Sequence, residues 1–329
     1  MANSAFGQPF VSTTYDPNII TGWGKRGYNW EFATSVQQQL GKRVAMDVGY
    51  FRRSYGNFIV TDNLSVAASD FTQYSIVAPV DPKLPNGGGY TIAGLYDVNP
   101  SKFGQTNNYL TFASNFGEQV QIWQGVDVNF NVRAWSGLTF QGGFSSGSTL
   151  NDSCAVRAQV PEMTFVSPLP AGNTVAPTTP YCRTSTNYLT QVKGLGTYSV
   201  PKIDVQVSAG IQSNPGPYVQ ANFSATNAFT QPSLGRPLAG NAQNVLVNLV
   251  EPGQLFGERH NQVDLRLSKI FRFGGHDKVS ANVDMFNVFN RSTVIIQNDS
   301  YSATNAALWQ TPQAILTGRL IKFSAQFDF

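Results

Sequence analysis

Strict alternation of apolar and polar residues recurs along this 329-residue chain and limits its possible folds more than any other feature. In the last segment, apolar residues from Ile321 to Phe329 alternate one by one with polar residues from Lys322 to Asp328. Successive side chains of a β-strand point to opposite faces, whereas a helix repeats about every 3.6 residues and cannot sort this pattern onto two faces. The alternation therefore predicts β-strands with one apolar face and one polar face.

Nine segments show this alternation or lie between matching turn signals, which predicts an all-β chain. The predicted strands are residues 29–40, 44–50, 126–133, 138–144, 192–198, 203–212, 262–273, 279–285 and 321–329. Short links built from turn-forming residues, such as Gly41-Lys42-Arg43 and Pro201-Lys202, join every second pair of strands. The links between them are long and span about residues 54–117, 147–187, 213–259 and 291–311.

This order of short and long links favours an antiparallel transmembrane β-barrel. Outer-membrane barrels join their strands by short periplasmic turns and long extracellular loops, whereas a soluble sandwich has no reason to place every long loop at one end. Single-chain bacterial barrels have even strand numbers, so a count of nine predicts the C-terminal part of a larger barrel. We expect residues 1–28 to come from a preceding extracellular loop and residues 29–329 to form the barrel portion.

The polar faces of the predicted strands carry side chains that would be costly in a dry core but not in a water-filled barrel. The predicted lumen-facing residues are Asp127, Asn129, Asn131, Arg133, Asp264, Arg266 and Asp284. A solvent-exposed sheet surface would tolerate them equally well, so the opposite, nearly uncharged face is the better indicator of lipid. Trp23, Trp30, Trp123 and Trp135 fall near strand ends, where aromatic girdles of barrels lie.

The composition excludes several other classes of protein. Only 12% of the residues are charged, about half the usual share, although the mean hydropathy is −0.18. No apolar run approaches the length of about 18 residues that a membrane helix needs, and a net charge of +3 without a basic cluster gives no indication of nucleic-acid binding. The polarity comes from Asn, Gln, Ser and Thr, as expected of a barrel lumen and neutral loops.

The sequence contains no pattern typical of an enzyme or of a metal or cofactor site. Neither His260 nor His276 has a ligand-type neighbour at the required spacing, and Gly87-Gly88-Gly89 lacks the Lys-Ser/Thr of a phosphate loop. The loop acids Asp62, Asp70, Asp81 and Asp97 match no regular calcium-loop spacing. Cys154 and Cys182 are the only cysteines and lack CxxC spacing; a disulfide and two free thiols are both open, since pairing needs an oxidising compartment.

Three segments resemble the C-terminal barrel of TonB-dependent outer-membrane receptors, in particular the Oar-like type with a carboxypeptidase-regulatory-like domain. They are residues 256–269 (FGERHNQVDLRLSK), 284–290 (DMFNVFN) and 318–329 (GRLIKFSAQFDF), with further likeness in residues 58–63, 94–100 and 232–236. The resemblance implies a 22-stranded barrel around an N-terminal plug that contacts the TonB complex. It also implies that Phe323, Phe327 and Phe329 form the C-terminal signal read by the barrel-assembly machinery.

The sequence therefore predicts part of an outer-membrane receptor of a Gram-negative bacterium that imports a substrate in a TonB-dependent manner. Aromatic residues in the long loops suit a carbohydrate, peptide or chelate ligand, although packing of the loops on themselves explains them too. Those aromatics are Phe71, Tyr74, Tyr90, Tyr96, Phe103 and Tyr109. A passive porin and a soluble β-rich adhesin or lectin-like module remain as alternatives.

Overall fold

The computed structural model describes residues 12–134, 137–164, 179–273 and 277–329. In chain order, the strands within these ranges are β1 (Thr13–Tyr15), β2 (Tyr28–Leu40), β3 (Val44–Gly56), β4 (Ile59–Asn63), β5 (Phe71–Val77), β6 (Thr91–Val98), β7 (Asn108–Phe112), β8 (Val120–Arg133), β9 (Leu138–Asp152), β10 (Arg183–Ser185), β11 (Leu189–Val200), β12 (Val205–Asn214), β13 (Asn222–Thr226), β14 (Asn244–Asn248), β15 (His260–Phe273), β16 (Asp277–Phe286), β17 (Val294–Gln297), β18 (Ser300–Tyr301), β19 (Pro312–Ile315) and β20 (Leu320–Asp328).

Helices within the same ranges are few and short. They are α1 (Pro17–Ile20), α2 (Cys154–Gln159) and α3 (Asn227–Leu234), with single 3-10 turns at Ala68–Asp70, Pro85–Gly87, Pro100–Lys102, Ala113–Asn115, Pro161–Thr164, Ala239–Asn241 and Ala306–Leu308. No helix in the part of the chain described above has the length and apolar character needed to cross a bilayer.

Nine long strands form one open antiparallel sheet in the order β2-β3-β8-β9-β11-β12-β15-β16-β20, and β10 adds a tenth strand beside β9. All nine strands predicted from the alternation are present, so the prediction of an all-β antiparallel chain is confirmed. Several boundaries differ. The predicted strand 203–212 begins too early, because Ile203 and Asp204 precede β12 and lie in a turn. Lys202 and Asp204 have positive φ there (70° and 47°), which ends the extended pattern.

The connections of this sheet differ sharply between its two ends. Residues 41–43, 134–137, 201–204 and 274–276 link the strands at one end, although 135–136 and 274–276 lie outside the described residues. At the other end the strands run further than predicted, because β3 continues to Gly56 and β9 to Asp152. The long connections begin there, so short and long links lie at opposite ends of the sheet.

The register sorts side chains into rows that cross the whole sheet. One row contains only apolar residues or glycine: Leu40, Val44, Val132, Phe140, Gly196, Ala209, Leu265, Met285 and Ile321. The adjacent row, one residue along each strand, is polar throughout: Arg133, Thr139, Thr197, Ser208, Arg266, Asp284 and Lys322. Because neighbouring residues of a strand face opposite sides, the sheet has one apolar face and one polar face.

The long connections are not irregular loops but form a folded unit. We call this unit the cap; it comprises residues 12–27, 57–119, 153–164, 179–188, 215–259 and 287–319. Four small sheets lie within it, in the orders β1-β7-β4, β5-β6, β14-β13-β18 and β17-β19. Its main core joins three connections that are far apart in sequence and includes Ile76, Leu95, Val247, Leu249 and Trp309, each at most 1% exposed. The sheet thus supports a cap with its own hydrophobic core.

Residues 12–27, which precede the first long strand, are also part of the cap. β1 pairs in parallel with β7, which places this segment against the first long connection. The carboxylate of Asp16 accepts hydrogen bonds from the Thr111 hydroxyl (2.6 Å) and from the Asn18 backbone N–H (2.8 Å), which lowers the pKa of Asp16. The segment is therefore attached to the cap by backbone pairing and by one buried carboxylate.

Candidate functional site

The seven predicted lumen-facing residues all lie on the polar face of the sheet. Asn131 and Asp264 belong to one row of the register, and Arg133, Arg266 and Asp284 to another. Asp127 and Asn129 follow with the same parity along β8. The register thus places on one face residues that are more than 150 positions apart in sequence.

Arg266 and Asp284 form a two-pronged ion pair within the polar row, on the neighbouring strands β15 and β16. Arg266 Nη2 donates to Asp284 Oδ2 at 3.1 Å, and Arg266 Nε donates to Asp284 Oδ1. The Asp284 side chain is only 5% exposed, whereas that of Arg266 is 50% exposed. The pair therefore presents the Arg266 guanidinium, rather than the carboxylate, to whatever lies above the polar face.

Asp264 lies on the polar face and also stabilises a turn through hydrogen bonds. One of its oxygens accepts hydrogen bonds from Gln262 Nε2 (2.9 Å) and from the Asn287 backbone N–H (2.8 Å). Asn287 has a positive φ of 50°, and its side-chain amide donates to the carbonyls of Arg291 and Thr317. Asp264 thus anchors the point where β16 turns into the last long connection.

The same turn gives a physical reason for the 284–290 motif. Asn290 also has a positive φ (51°), and its side-chain oxygen accepts from the Arg319 backbone N–H at 2.9 Å. Asparagine tolerates the left-handed region better than most residues and bonds locally to the backbone. The two asparagines therefore close the connection between β16 and β20 at its base.

The loop aromatics mostly pack within the cap. Tyr74 is 3% exposed, and the Tyr90 hydroxyl donates to the Leu249 carbonyl at 2.8 Å. Phe71, Tyr96 and Tyr109 are partly buried, whereas Phe103 is 55% exposed. Packing of the connections on each other thus accounts for the burial of Tyr74, and Tyr90 packs partly buried against the same core.

The loop acids are dispersed over the cap. Asp97 pairs with Arg236 and accepts from the Ala239 N–H (3.1 Å), which joins two connections. Asp81 accepts from the Tyr301 hydroxyl at 3.0 Å, and burial together with this hydrogen bond raises the pKa of Tyr301 to about 12. Asp70 accepts from the Ala67 N–H within its own turn. Within the described ranges no three His, Cys, Asp or Glu side chains converge as a metal site would require.

Glu162 and Asp62 form an acidic pair in the cap that yields a prediction about pH. Burial, and then the charge of Asp62, raises the pKa of Glu162, although the Asn63 N–H donates to it at 2.9 Å. A raised pKa favours the protonated form in the folded state. The ionised form therefore destabilises the cap as pH rises above the unfolded value near 4.5.

We expect Glu162→Gln to stabilise the cap at pH 7, because the amide keeps an acceptor for Asn63 and removes the buried charge. Thermal unfolding across pH should show a higher Tm for the variant at pH 7 and a difference that vanishes near pH 4. Glu258→Gln, at an exposed position, is the matched control. A Tm difference that does not depend on pH would contradict the prediction.

The structure pairs Cys154 with Cys182 in a disulfide whose Cα atoms are 4.8 Å apart. Cys154 begins α2, and the backbone N–H of Ser153 donates to the Cys182 carbonyl at 2.9 Å. The bond closes a segment that includes residues 165–178, which lie outside the described residues. Of the two open possibilities, the structure shows the disulfide.

Two further groups of predicted residues are placed as follows. Phe323, Phe327 and Phe329 are at least 70% exposed at the free edge of the sheet, and their role as an assembly signal stays a prediction. Trp123 is wrongly assigned to an outward girdle, because it shares parity with Asp127 on β8 and so lies on the polar face. Trp135 and His276 lie outside the described residues, and His260 is the first residue of β15.

No protein family matches the sequence, and no curated protein is similar to it. Among solved structures, the chain is similar to the outer membrane transporter YddB from Escherichia coli, with 13% identity and a TM-score of 0.49 over 92% of this chain and 33% of that one. It is also similar to the FpvAI–pyocin S2 complex (14% identity, TM-score 0.43) and to the outer-membrane ferripyoverdine receptor of Pseudomonas aeruginosa bound to ferripyoverdine (13%, 0.43). Each of these two alignments covers 92% of this chain and 27% of the other, so the chain spans a third or less of each neighbour.

Proposed function

We propose that this chain forms part of the membrane-spanning β-barrel of an outer-membrane receptor that imports a substrate into a Gram-negative bacterium. The apolar row that crosses all nine long strands supports the proposal most strongly. A soluble sheet covers such a face with a second layer, yet this face is open to its surroundings in the described structure: Leu267 is 50% exposed and Phe323 77%. Lipid is the solvent that makes an exposed face of this kind stable.

The spacing of charges along β15 fits the thickness of a bilayer. Arg259, just before the strand, and Lys269 share the parity of the apolar face, and the residues of that face between them are uncharged. Ten residues of strand span about 33 Å. A tilt of about 40° reduces this to roughly 25 Å, the height of the apolar band of outer-membrane barrels. We therefore place the two cations at the two membrane interfaces.

Energy coupling through TonB, a plug inside the barrel and recognition by the barrel-assembly machinery enter the proposal from the family resemblance. The polar face gives a plug many hydrogen-bonding partners, and the cap lies at the end where barrels carry their extracellular loops. The proposal contains no catalytic step and no cofactor. A passive porin is the second candidate, because its barrel would have the same two faces.

Replacing Phe144 by arginine tests the assignment of the two faces. Phe144 lies near the middle of β9 and shares the parity of Phe140 on the apolar face, and its neighbour Ser145 lies on the polar face of the same strand. An arginine at the bilayer midplane costs about 2–4 kcal/mol, whereas one in the lumen costs little. We expect Phe144→Arg to reduce insertion into phosphatidylcholine vesicles strongly and Ser145→Arg to insert like the wild type, measured by heat-modifiable mobility in gels.

Two outcomes would count against the proposal. Equal insertion of both variants would show that the apolar face does not contact lipid, and a wild-type chain that is soluble and folded without detergent would support the adhesin-like alternative. In cells, uptake that continues without TonB would favour the passive porin.

A further inference from the structure

Trp123 is out of place on the polar face, and its surroundings explain why it lies there. A methyl group added to Gly125 or to Gly147 would come within 3.0 Å of the Trp123 ring, and these two glycines are direct partners across β8 and β9. The indole therefore packs directly on the backbone of β8 and β9, which is possible because Gly125 and Gly147 have no side chain. The opposite face of the ring is accessible to solvent, and Trp123 is 38% exposed.

Further rings and charges surround Trp123 at the cap end of the polar face. Phe51 covers Gly49 in the same manner, since a methyl group there would come within 2.7 Å of the ring. Arg53 pairs with Glu31, lies 5.9 Å from the centre of the Tyr55 ring and donates to the Tyr55 hydroxyl at 3.3 Å.

Together with Asp127, and with Phe32, Ala33 and Arg52 as further lining residues, these groups enclose a hollow of about 400 Å³. We call it the Trp123 hollow and define it by Glu31, Phe51, Arg53, Tyr55, Trp123 and Asp127. Ligand pockets of roughly 300–1,000 Å³ combine apolar walls with a few polar groups in this way.

Sheet stability alone does not account for this arrangement. If the ring served only to cover the glycines, it would stabilise the sheet equally well on the lipid face, where its apolar surface would not be exposed to water. Instead, the Trp123 ring is partly exposed to water and lies beside two carboxylates and a guanidinium. This combination of a flat apolar surface and charged hydrogen-bonding groups is suited to a ligand with one apolar face and a polar edge.

We propose that the Trp123 hollow binds a neutral sugar ring of an oligosaccharide, which deepens the proposed function by naming its substrate class. A pyranose presents C–H groups on its face, which stack on an indole, and hydroxyls on its edge. Carboxylates of Asp127 and Glu31 accept hydrogen bonds from hydroxyls, and Arg53 donates to ring and hydroxyl oxygens. With Arg52, which also lines the hollow, the two carboxylates and two guanidinium groups sum to zero, and this balance suits a neutral ligand.

Calorimetric titration of the full chain in detergent micelles tests this inference, with maltohexaose, cellohexaose and chitohexaose as probes. We expect at least one of the three to bind. Trp123→Ala and Asp127→Asn should each weaken that binding tenfold or more, and Trp123→Phe, which keeps a ring over the glycines, should weaken it less. Trp30→Ala removes a tryptophan of the opposite face at nearly the same level and should leave binding unchanged.

Binding of none of the three probes by the wild type would overturn the inference, as would binding that Trp123→Ala and Asp127→Asn both leave intact. Heat-modifiable mobility of each variant, measured in parallel, separates loss of binding from loss of folding. Insertion into vesicles is read independently, so a chain that inserts without binding sugar refutes this inference alone. A chain that fails to insert refutes the proposed function.

Discussion

Replacing Trp309 by alanine is expected to destabilise the cap by about 3–5 kcal/mol, the usual cost of truncating a buried tryptophan. Trp309 is 1% exposed, and its indole N–H donates to the Gln220 carbonyl at 2.7 Å. The substitution would leave both a cavity and a buried carbonyl without its donor, and each of these is destabilising.

The position of Trp309 in a chain of aromatic rings increases the expected effect. Its ring meets Tyr301 edge-on with centroids 5.4 Å apart, and Tyr301 meets Phe223 at 6.0 Å. Phe223 in turn meets Phe229 at 4.9 Å. Since Tyr301 also donates to Asp81, loss of Trp309 would loosen all three connections that share the main core of the cap.

Hydrogen exchange is the measurement for this prediction, because it reports the cap and the sheet separately. Protection should fall in the cap and stay unchanged in β8 and β15. Trp23→Ala is the matched control, since Trp23 is fully exposed and its loss should change stability by less than about 0.5 kcal/mol. Full protection of the cap in the Trp309 variant, or an equal loss in the control, would contradict the prediction.

The long strands could be predicted from the sequence because their signal is local. Each long strand is recognised from the alternation in its own residues. Each also pairs with the long strand that comes next or before it along the chain, once the intervening cap segments are set aside. The correct placement of all nine follows from this. The boundary error at Ile203 shows the limit, since an apolar residue at the right parity does not reveal that Lys202 and Asp204 adopt positive φ.

The cap could not be predicted in the same manner, because its core depends on contacts between distant residues. Asp81 and Tyr301, for example, are 220 residues apart and bond directly. A local signal did exist in β5, where Tyr74 and Ile76 alternate with polar neighbours and are both buried. A short alternating run between Pro and Gly residues is predicted as a loop unless the strand that pairs with it is known.

The error at Trp123 has a different cause. Its nearness to the strand end suggested a girdle, yet Trp123 and Asp127 are four residues apart and must share a face in a regular strand. Parity along the strand was therefore the better predictor than distance from its end. The same criterion keeps Trp30 on the apolar face, since it shares parity with Leu40 along β2.

The Cys154–Cys182 disulfide is expected to be the second large contributor to the stability of the cap. It closes a segment with a sequence separation of 28, for which the chain-entropy estimate is about 3.5 kcal/mol. The bond also holds α2 in place, and α2 contributes the fully buried Val156 to a second small core with Val60 and Ala113. Opening the disulfide should therefore release this small core before the main core of the cap.

Denaturant unfolding with and without dithiothreitol measures the contribution of the disulfide. The wild type should lose about 3.5 kcal/mol of cap stability on reduction, and the double variant Cys154→Ser/Cys182→Ser should start at that lower value and not respond to the reductant. Limited proteolysis should then cut first between residues 153 and 188, because the bond no longer restrains that segment. The long strands pair without help from the disulfide, so their exchange protection should not change. Two results would contradict the prediction: a wild type whose stability dithiothreitol does not change, or a double variant as stable as the oxidised wild type. Either would show that pairing of Arg183 with Asp152 and burial of Val156 hold the segment without the disulfide.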